Sequence, residues 1–197
     1  MMKLHQYIIA LLFTFLYACG GSSDNETNSS PEQQSKMAWE EFSSGNYDDA
    51  LAGFNQALEK DSTLIEAISG KGWVLILLDD LQSAEQVLSI DPAKMTDDMT
   101  AGLAFIYNAI GDYQNSIDYS LTLLLNPNWV FTYDPNIDHT DIRLVLAQDY
   151  ISIGDFENAK ITFLVIEPTF EADITTAEGQ LLLLQAIEAK NPGLNSN

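Results

Sequence analysis

Apolar residues in this chain recur at the three- and four-residue spacings of an amphipathic helix, in short stretches separated by polar turns. Such stretches lie on both sides of positions 45, 79, 111 and 154. The pattern changes after residue 129, where apolar and polar residues alternate as far as a turn. The pattern predicts an all-α fold made of paired helices, with one inserted segment between residues 129 and 140.

A short motif marks each turn between paired helices. GNYDDALAGF at 45–54 returns as GDYQNSIDYS at 111–120 and GDFENAKITF at 154–163, and DDLQSAEQVL at 79–88 is a fourth copy. The glycine suits a left-handed helix C-cap, and the following Asp or Asn suits the N-cap of the next helix. Most intervals lie near the period of about 34 residues that is typical of helix–turn–helix repeats.

These motifs resemble the tetratricopeptide repeat family. The family's small position eight falls on Ala38, Gly72, Ala104 and Ala147, and its large position twenty-four falls on Phe54, Leu88 and Phe163, with Ser120 as a mismatch. The resemblance implies a TPR-like α-solenoid of about four helix–turn–helix repeats over 31–191. We expect copies at 31–64, 65–96, 97–129 and 140–172, an inserted loop at 130–139, and a capping helix at 173–190 with Asp173 as its N-cap.

The resemblance also implies a concave groove lined by the first helix of each copy. The groove positions carry large apolar side chains, which are Trp39, Phe42, Trp73, Ile76 and Phe105. Rigid aromatic side chains are effective anchors for a protein partner. Two alternatives stay open here: these residues form an exposed binding stripe, or they pack together and fill the groove.

The inserted segment is the second candidate binding site. It presents Trp129, Phe131 and Tyr133 at alternate positions before a turn at Asp134-Pro135. Extra residues within a repeat array often form loops on a binding face. The alternative is a hydrophobic plug that holds adjacent repeats together.

The charge of the chain restricts its partners. The formal net charge is −21 at pH 7, and the few Lys and Arg residues are scattered. Such a surface repels nucleic acids and anionic lipid head groups, so we expect a protein partner with a basic or an apolar segment. The clamp with which some family members hold a chaperone carboxylate is absent, since its places hold Ser35, Trp39, Ser69 and Trp73.

The amino-terminal end predicts export and lipidation. Residues 1–18 have a positive end and an apolar run too short to span a bilayer comfortably, as in a signal peptide. Leu16-Tyr17-Ala18-Cys19-Gly20 resembles a bacterial lipobox, which implies acylation of Cys19, the single cysteine. Residues 19–30 then form a flexible tether. We expect an outer-membrane lipid anchor with the protein facing the periplasm, surface exposure being the alternative.

Candidate chemistry is sparse. After removal of the signal peptide the chain keeps one histidine, His139, and no free cysteine, and it has no phosphate-binding glycine loop. Residues 134–141 resemble a calcium loop but lack its glycine and its bidentate glutamate, so we expect Asp138 to cap a helix instead. The adjacent acids at 48–49, 79–80 and 97–98 lie at turns or helix starts. We therefore expect no catalytic residue, metal or cofactor.

Together these features predict a lipid-anchored envelope scaffold that binds proteins, for example during assembly of an envelope complex. One alternative is an accessory lipoprotein that binds glycans or nutrients, with the aromatic residues stacking on sugars. A second alternative is a hydrolase that depends on carboxylates.

Overall fold

The computed structural model of the chain describes residues 29–190, and this range is all-α. Its only β-type feature is an isolated antiparallel bridge between Val130 and Asp138. The helices are α1 (Pro31–Ser43), α2 (Tyr47–Lys60), α3 (Ile65–Leu77), α4 (Leu81–Leu88), α5 (Asp97–Ala109), α6 (Tyr113–Leu123), α7 (His139–Ser152), α8 (Phe156–Ile166) and α9 (Ala177–Lys190), with a 3-10 helix at Pro92–Lys94. The predicted all-α fold is confirmed.

The helices stack as consecutive pairs. Within each pair the two helices pack against each other, as α1 does with α2 and α7 does with α8. The first helices α1, α3, α5 and α7 also contact one another in sequence, and α9 packs on α7 and α8. This is the arrangement of a solenoid, in which each repeat buries its apolar side against its neighbours.

The turns between paired helices have the backbone that the repeated motif predicts. Gly45, Gly111 and Gly154 have φ angles of 78°, 80° and 82°, in the left-handed region where glycine has no Cβ penalty. In the second copy Asp79 takes this conformation with φ 61°. Short polar side chains such as Asp tolerate the left-handed region better than other non-glycine residues do, which accounts for the substitution.

The residue after each turn is the N-cap of the next helix, and three of the four form a capping hydrogen bond through the side chain. The side chains of Asp80, Asp112 and Asp155 accept hydrogen bonds from backbone N–H groups in the first turns of α4, α6 and α8. Asn46 precedes α2 without such a bond. The capping prediction is therefore confirmed in three of the four copies.

The terminal helix begins later than the sequence predicted. Asp173 accepts hydrogen bonds from the backbone N–H and the hydroxyl of Thr175, which form a turn before the helix. Thr176 caps the helix instead, since its hydroxyl accepts from the N–H of Gly179. A Cβ at Gly179 would collide with the Asp173 carbonyl, so the turn and the helix need glycine to approach this closely.

One face of α9 is buried on the last repeat. Leu183 and Ile187 are buried against the α7–α8 pair, whereas Leu181 is about half exposed. The helix caps the last repeat through this narrow stripe.

The non-helical segment between α6 and α7 covers residues 124–138, and it is called the insertion below. Its chain reverses at a turn closed by the N–H of Ile137 donating to the Asp134 carbonyl. The N–H of Phe131 donates to the carbonyl of Ile137, and the N–H of His139 donates to the carbonyl of Trp129. Asp138 caps α7 through the N–H of Thr140, as the sequence predicted.

Candidate functional site

The insertion packs across the first helices of the array. Phe131 is fully buried, and its ring lies 4.2 Å from that of Trp73 on α3, in a stacked arrangement. The rings of Trp39 and Phe42, on α1, are in edge-to-face contact with it, with their centroids 6.0 and 5.9 Å from its own. One side chain of the insertion thus fills the space between the first two copies.

Hydrogen bonds hold the insertion on both sides of Phe131. The Trp129 Nε1–H donates to the carboxylate of Asp98 on α5 at 2.8 Å, and the Tyr133 hydroxyl donates to Glu66 on α3 at 2.6 Å. The Tyr133 ring also stacks on Trp39 at 3.5 Å with the planes 2° apart. The insertion is therefore attached to all of the first three copies.

The predicted groove residues are buried by this arrangement. The exposed fractions of Trp39, Phe42, Trp73, Ile76 and Phe105 run from 0% to 8%. Of the two alternatives for these residues, the structure has the packed one, and the insertion fills the groove. A direct role of the five residues in partner binding stays a prediction.

The three candidate residues of the insertion differ in their exposure to solvent. Trp129 and Phe131 are buried, whereas Tyr133 is half-buried. Burial and its hydrogen bond to Glu66 raise the pKa of Tyr133, so the phenol stays protonated and acts as a donor at neutral pH. In the insertion, Tyr133 is thus the predicted binding residue that borders open space.

That open space is a cleft of about 650 Å³ at the first-copy end of the concave face. It is called the first-repeat cleft, and its lining residues are Glu32, Lys36, Trp39, Glu40, Ser43, Ser44, Glu66 and Tyr133. One wall is α1, and the stacked Trp39–Tyr133 pair forms an aromatic wall beside the Glu66 carboxylate. A second cleft of about 520 Å³ lies on the other side of Tyr133, between the end of α1 and residues 134–137.

The first-repeat cleft is acidic. Three glutamates line it against one lysine, Lys36. Within residues 29–190, neither Lys36 Nζ nor the Glu40 carboxylate makes a hydrogen bond or an ion pair. Hydrogen bonding from Ser30 lowers the pKa of Glu32, so this carboxyl is ionised at neutral pH.

The sequence reasoning missed a repeated acid that the structure brings out. Position two of every copy is acidic, and the four residues are Glu32, Glu66, Asp98 and Asp141. Glu66 and Asp98 each accept a hydrogen bond from an aromatic side chain of the insertion, and Asp141 accepts one from the N–H of Asp138. The repeat register itself held this signal, because the four acids occupy the same position in the four copies.

Two polar groups on the same face of α1 are buried without a partner. The Trp39 Nε1–H and the Ser35 hydroxyl have no hydrogen bond in the described part of the chain. A buried donor without an acceptor costs free energy. The aromatic wall of the cleft therefore contains an N–H group whose hydrogen-bonding capacity is unused.

The described residues give little support to the two alternative functions, which are glycan or nutrient binding and hydrolysis by carboxylates. The three tryptophans are buried, so none presents an open ring face on which a sugar could stack. Burial raises the pKa of Asp149 to about 6, but Asp149 lies between α5 and α7 and lines neither cleft. Residues 29–190 also contain no group of three or more His, Cys, Asp or Glu side chains placed to hold a metal ion.

Membrane attachment is not visible in the described range. None of its helices combines the length and apolar character that crossing a bilayer requires. The predicted lipidation site, Cys19, lies outside the described residues.

Comparison with known proteins identifies the fold. No protein-family model and no curated protein matches the chain. Among solved structures, it is similar to MamA 41-end from Desulfovibrio magneticus RS-1, with 19% identity and a TM-score of 0.58 over 73% of this chain and 76% of that one. A second MamA crystal structure matches with 17% identity and a TM-score of 0.57, covering 85% of this chain and 84% of that one.

A tetratricopeptide repeat protein from Parabacteroides merdae ATCC 43184 is similar as well. It has 17% identity and a TM-score of 0.55, and the match covers 82% of this chain but 59% of that one. At these identities the likeness concerns the fold alone. The chain has a TPR-like α-solenoid fold, as its repeats predicted.

Proposed function

We propose that this protein is a noncatalytic scaffold of the bacterial envelope, anchored by lipid at Cys19, that binds a protein partner in the first-repeat cleft. The observation that carries the proposal is the cleft itself, an acidic opening of about 650 Å³ with an aromatic wall. Concave faces of repeat arrays are extended surfaces suited to protein binding. Here the insertion fills the centre of that face, and the cleft is the opening that borders it.

The lipid anchor gives the scaffold a location. A tether at 19–30 would hold the array close to the membrane and raise the local concentration of the proteins assembled there. The supporting evidence is the lipobox-like sequence around Cys19. We place the anchor in the outer membrane and regard assembly of an envelope complex as the process served, because a membrane-bound repeat surface suits that task.

Partner capture tests the cleft. Lys36 is exposed and lines the cleft, so Lys36→Trp places a bulky ring in the opening without removing any hydrogen bond or ion pair made within residues 29–190. We expect the tagged full chain to capture a partner from solubilised envelopes, and Lys36→Trp to reduce its recovery about tenfold, equivalent to about 1.4 kcal/mol. Recovery is measured by quantitative mass spectrometry.

Lys94→Trp is the matched control for this experiment. It removes the same charge and adds the same ring at an exposed site away from the cleft. Partners recovered equally by both variants and by the unmodified chain would place the binding surface elsewhere.

Labelling with a radioactive fatty acid tests the anchor. We expect label on the full chain and its complete loss in Cys19→Ser, because acylation requires the thiol of the single cysteine. Ser22→Cys in the Cys19→Ser background is the control, since it restores a thiol outside the lipobox. Label that persists in Cys19→Ser, or that returns with Ser22→Cys, would contradict anchoring at Cys19.

A further inference from the structure

We infer that the first-repeat cleft takes a lysine or arginine side chain from an extended segment of the protein partner. This inference rests on the proposed function and specifies the chemistry of the partner. It depends on the charges of the cleft, on its aromatic wall, and on how the insertion uses the same face of the array.

The charges of the cleft favour a cation. Glu32, Glu40 and Glu66 line it together with a single lysine. The formal net charge of −21 adds a long-range attraction for positive groups. A lysine or arginine head placed among these carboxylates would gain charge-assisted hydrogen bonds, whereas an acidic segment would be repelled.

The aromatic wall fits the rest of such a side chain. The stacked Trp39 and Tyr133 rings border the same opening as the glutamates. The aliphatic stem of lysine or arginine packs on apolar surface while its charged head stays near polar groups. A cation close to the half-buried Tyr133 ring gains a further electrostatic attraction.

The insertion shows how this face of the array holds an extended chain. Its Trp129 and Tyr133 donate hydrogen bonds to the position-two acids Asp98 and Glu66. Glu32, the position-two acid of the first copy, receives no donor from the insertion and accepts a hydrogen bond from Ser30 in the cap of its own helix. The first-copy end of this acidic series is therefore left for a donor from outside the insertion.

The unused N–H of Trp39 favours a peptide over a simple cation. This indole N–H is buried in the residue that forms the aromatic wall and has no acceptor in the described range. This N–H is closed to solvent in the free protein, so a peptide carbonyl could accept its hydrogen bond only if the Trp39–Tyr133 stack opened as the segment entered. An isolated ammonium group has no acceptor to offer.

Peptide binding to the full chain tests this inference. The probe is a fluorescein-labelled nonapeptide with three central lysines between glycine and serine residues, compared with the same peptide carrying three glutamates. Binding is followed by fluorescence anisotropy in about 0.15 M salt, where attraction between distant exposed charges is largely screened. We expect the lysine peptide to bind, and the glutamate peptide not to bind.

Matched variants separate the effect of the charges in the cleft from the effect of the overall charge. Glu32→Gln with Glu40→Gln should weaken binding of the lysine peptide about tenfold, because two carboxylates leave the cleft. The control is Glu157→Gln with Glu59→Gln, which removes equal charge at matching places in other helices. Glu157 lies in the first turn of α8, as Glu32 does in α1, and Glu59 is exposed on α2, as Glu40 is on α1. The control pair should weaken binding less than threefold or so, as expected of distant surface charges.

Each outcome bears on the inference. Equal weakening by the two pairs, or no binding of the lysine peptide, would overturn it. If capture still depended on Lys36→Trp in that case, the proposed function would stand and the partner would have another chemistry. If Lys36→Trp also left partner capture unchanged, the proposed function would be overturned as well. Circular dichroism of each variant confirms that the helices are retained, so that weaker binding is attributable to the cleft.

Discussion

Replacing Phe131 by alanine is expected to lower the free energy of unfolding by about 3–5 kcal/mol. The ring is fully buried and contacts Trp39, Phe42 and Trp73 from two different helices. Its removal leaves a cavity where α1 and α3 meet the insertion, and the surrounding helices can close it only in part. Urea unfolding followed by circular dichroism measures the loss.

Two control variants make the Phe131 prediction specific. Leu125→Ala removes an apolar side chain from the same insertion, but this side chain is 84% exposed, so the expected change is within about 0.5 kcal/mol. Phe131→Leu keeps much of the apolar volume and should cost less stability than Phe131→Ala.

In Phe131→Ala we also expect acrylamide to quench tryptophan fluorescence more strongly, because Trp39 and Trp73 lose their cover. A loss of stability below about 1 kcal/mol would contradict the packing described for the insertion.

Asp149→Asn is expected to stabilise the protein by about 2–3 kcal/mol at neutral pH. Burial raises the pKa of this carboxyl from an ordinary value near 3.8 to about 6 in the folded state. The folded protein therefore binds this proton more tightly than the unfolded chain does. Below about pH 4 the carboxyl is protonated in both states and costs no stability. Its cost grows as the pH rises towards 6 and is constant above that.

Asparagine removes the charge and keeps the local contacts. Asn108 donates a hydrogen bond to Asp149 Oδ1 at 2.7 Å, and an asparagine oxygen can accept the same bond. Oδ2 makes no hydrogen bond in the described range, and the Ser116 hydroxyl is a neighbour that could accept from the new amide. The replacement should therefore create no new buried charge.

Urea unfolding between about pH 4 and pH 8 checks this prediction. The difference in stability between Asp149→Asn and the unmodified chain should grow as the pH rises from about 4 to about 6 and stay constant above that. Asp118→Asn is the control, because Asp118 also accepts from a side-chain amide, that of Gln114, but is exposed. Asp118→Asn should change the stability by no more than about 0.5 kcal/mol, as is usual at an exposed position. A lower stability of Asp149→Asn at pH 7 would show that the ionised carboxylate is satisfied in the fold.

The repeated motif predicted the fold well because its signals act locally. A glycine with positive φ and a capping carboxylate fix a turn through their own backbone, as at Gly111 and Asp112, whatever packs around them. The predicted start of the last helix was wrong, and the reason is also local. Asp173 and Thr176 both have side chains that can cap, and the choice depends on how closely Gly179 approaches the Asp173 carbonyl.

The candidate site could be predicted only in part, because its geometry depends on contacts between distant residues. The sequence identified the aromatic residues of α1, α3 and the insertion, but not that Phe131 would stack on Trp73 or Tyr133 on Trp39. These pairs lie far apart along the chain, and no local rule connects them. The cleft results from the same pairing, since it is the space that the insertion leaves uncovered at the first-copy end.

The insertion also changes how the array is connected along the chain. In a simple repeat array each copy contacts its immediate neighbours, so the first copies can fold before the later ones are made. Here the Ser43 hydroxyl donates to the Tyr133 carbonyl, ninety positions further on. The inner surface of the first two copies is therefore completed only when residues 131–133 have packed against Trp39 and Trp73. The packing of the amino-terminal half of the array thus depends on a segment that follows it in the sequence.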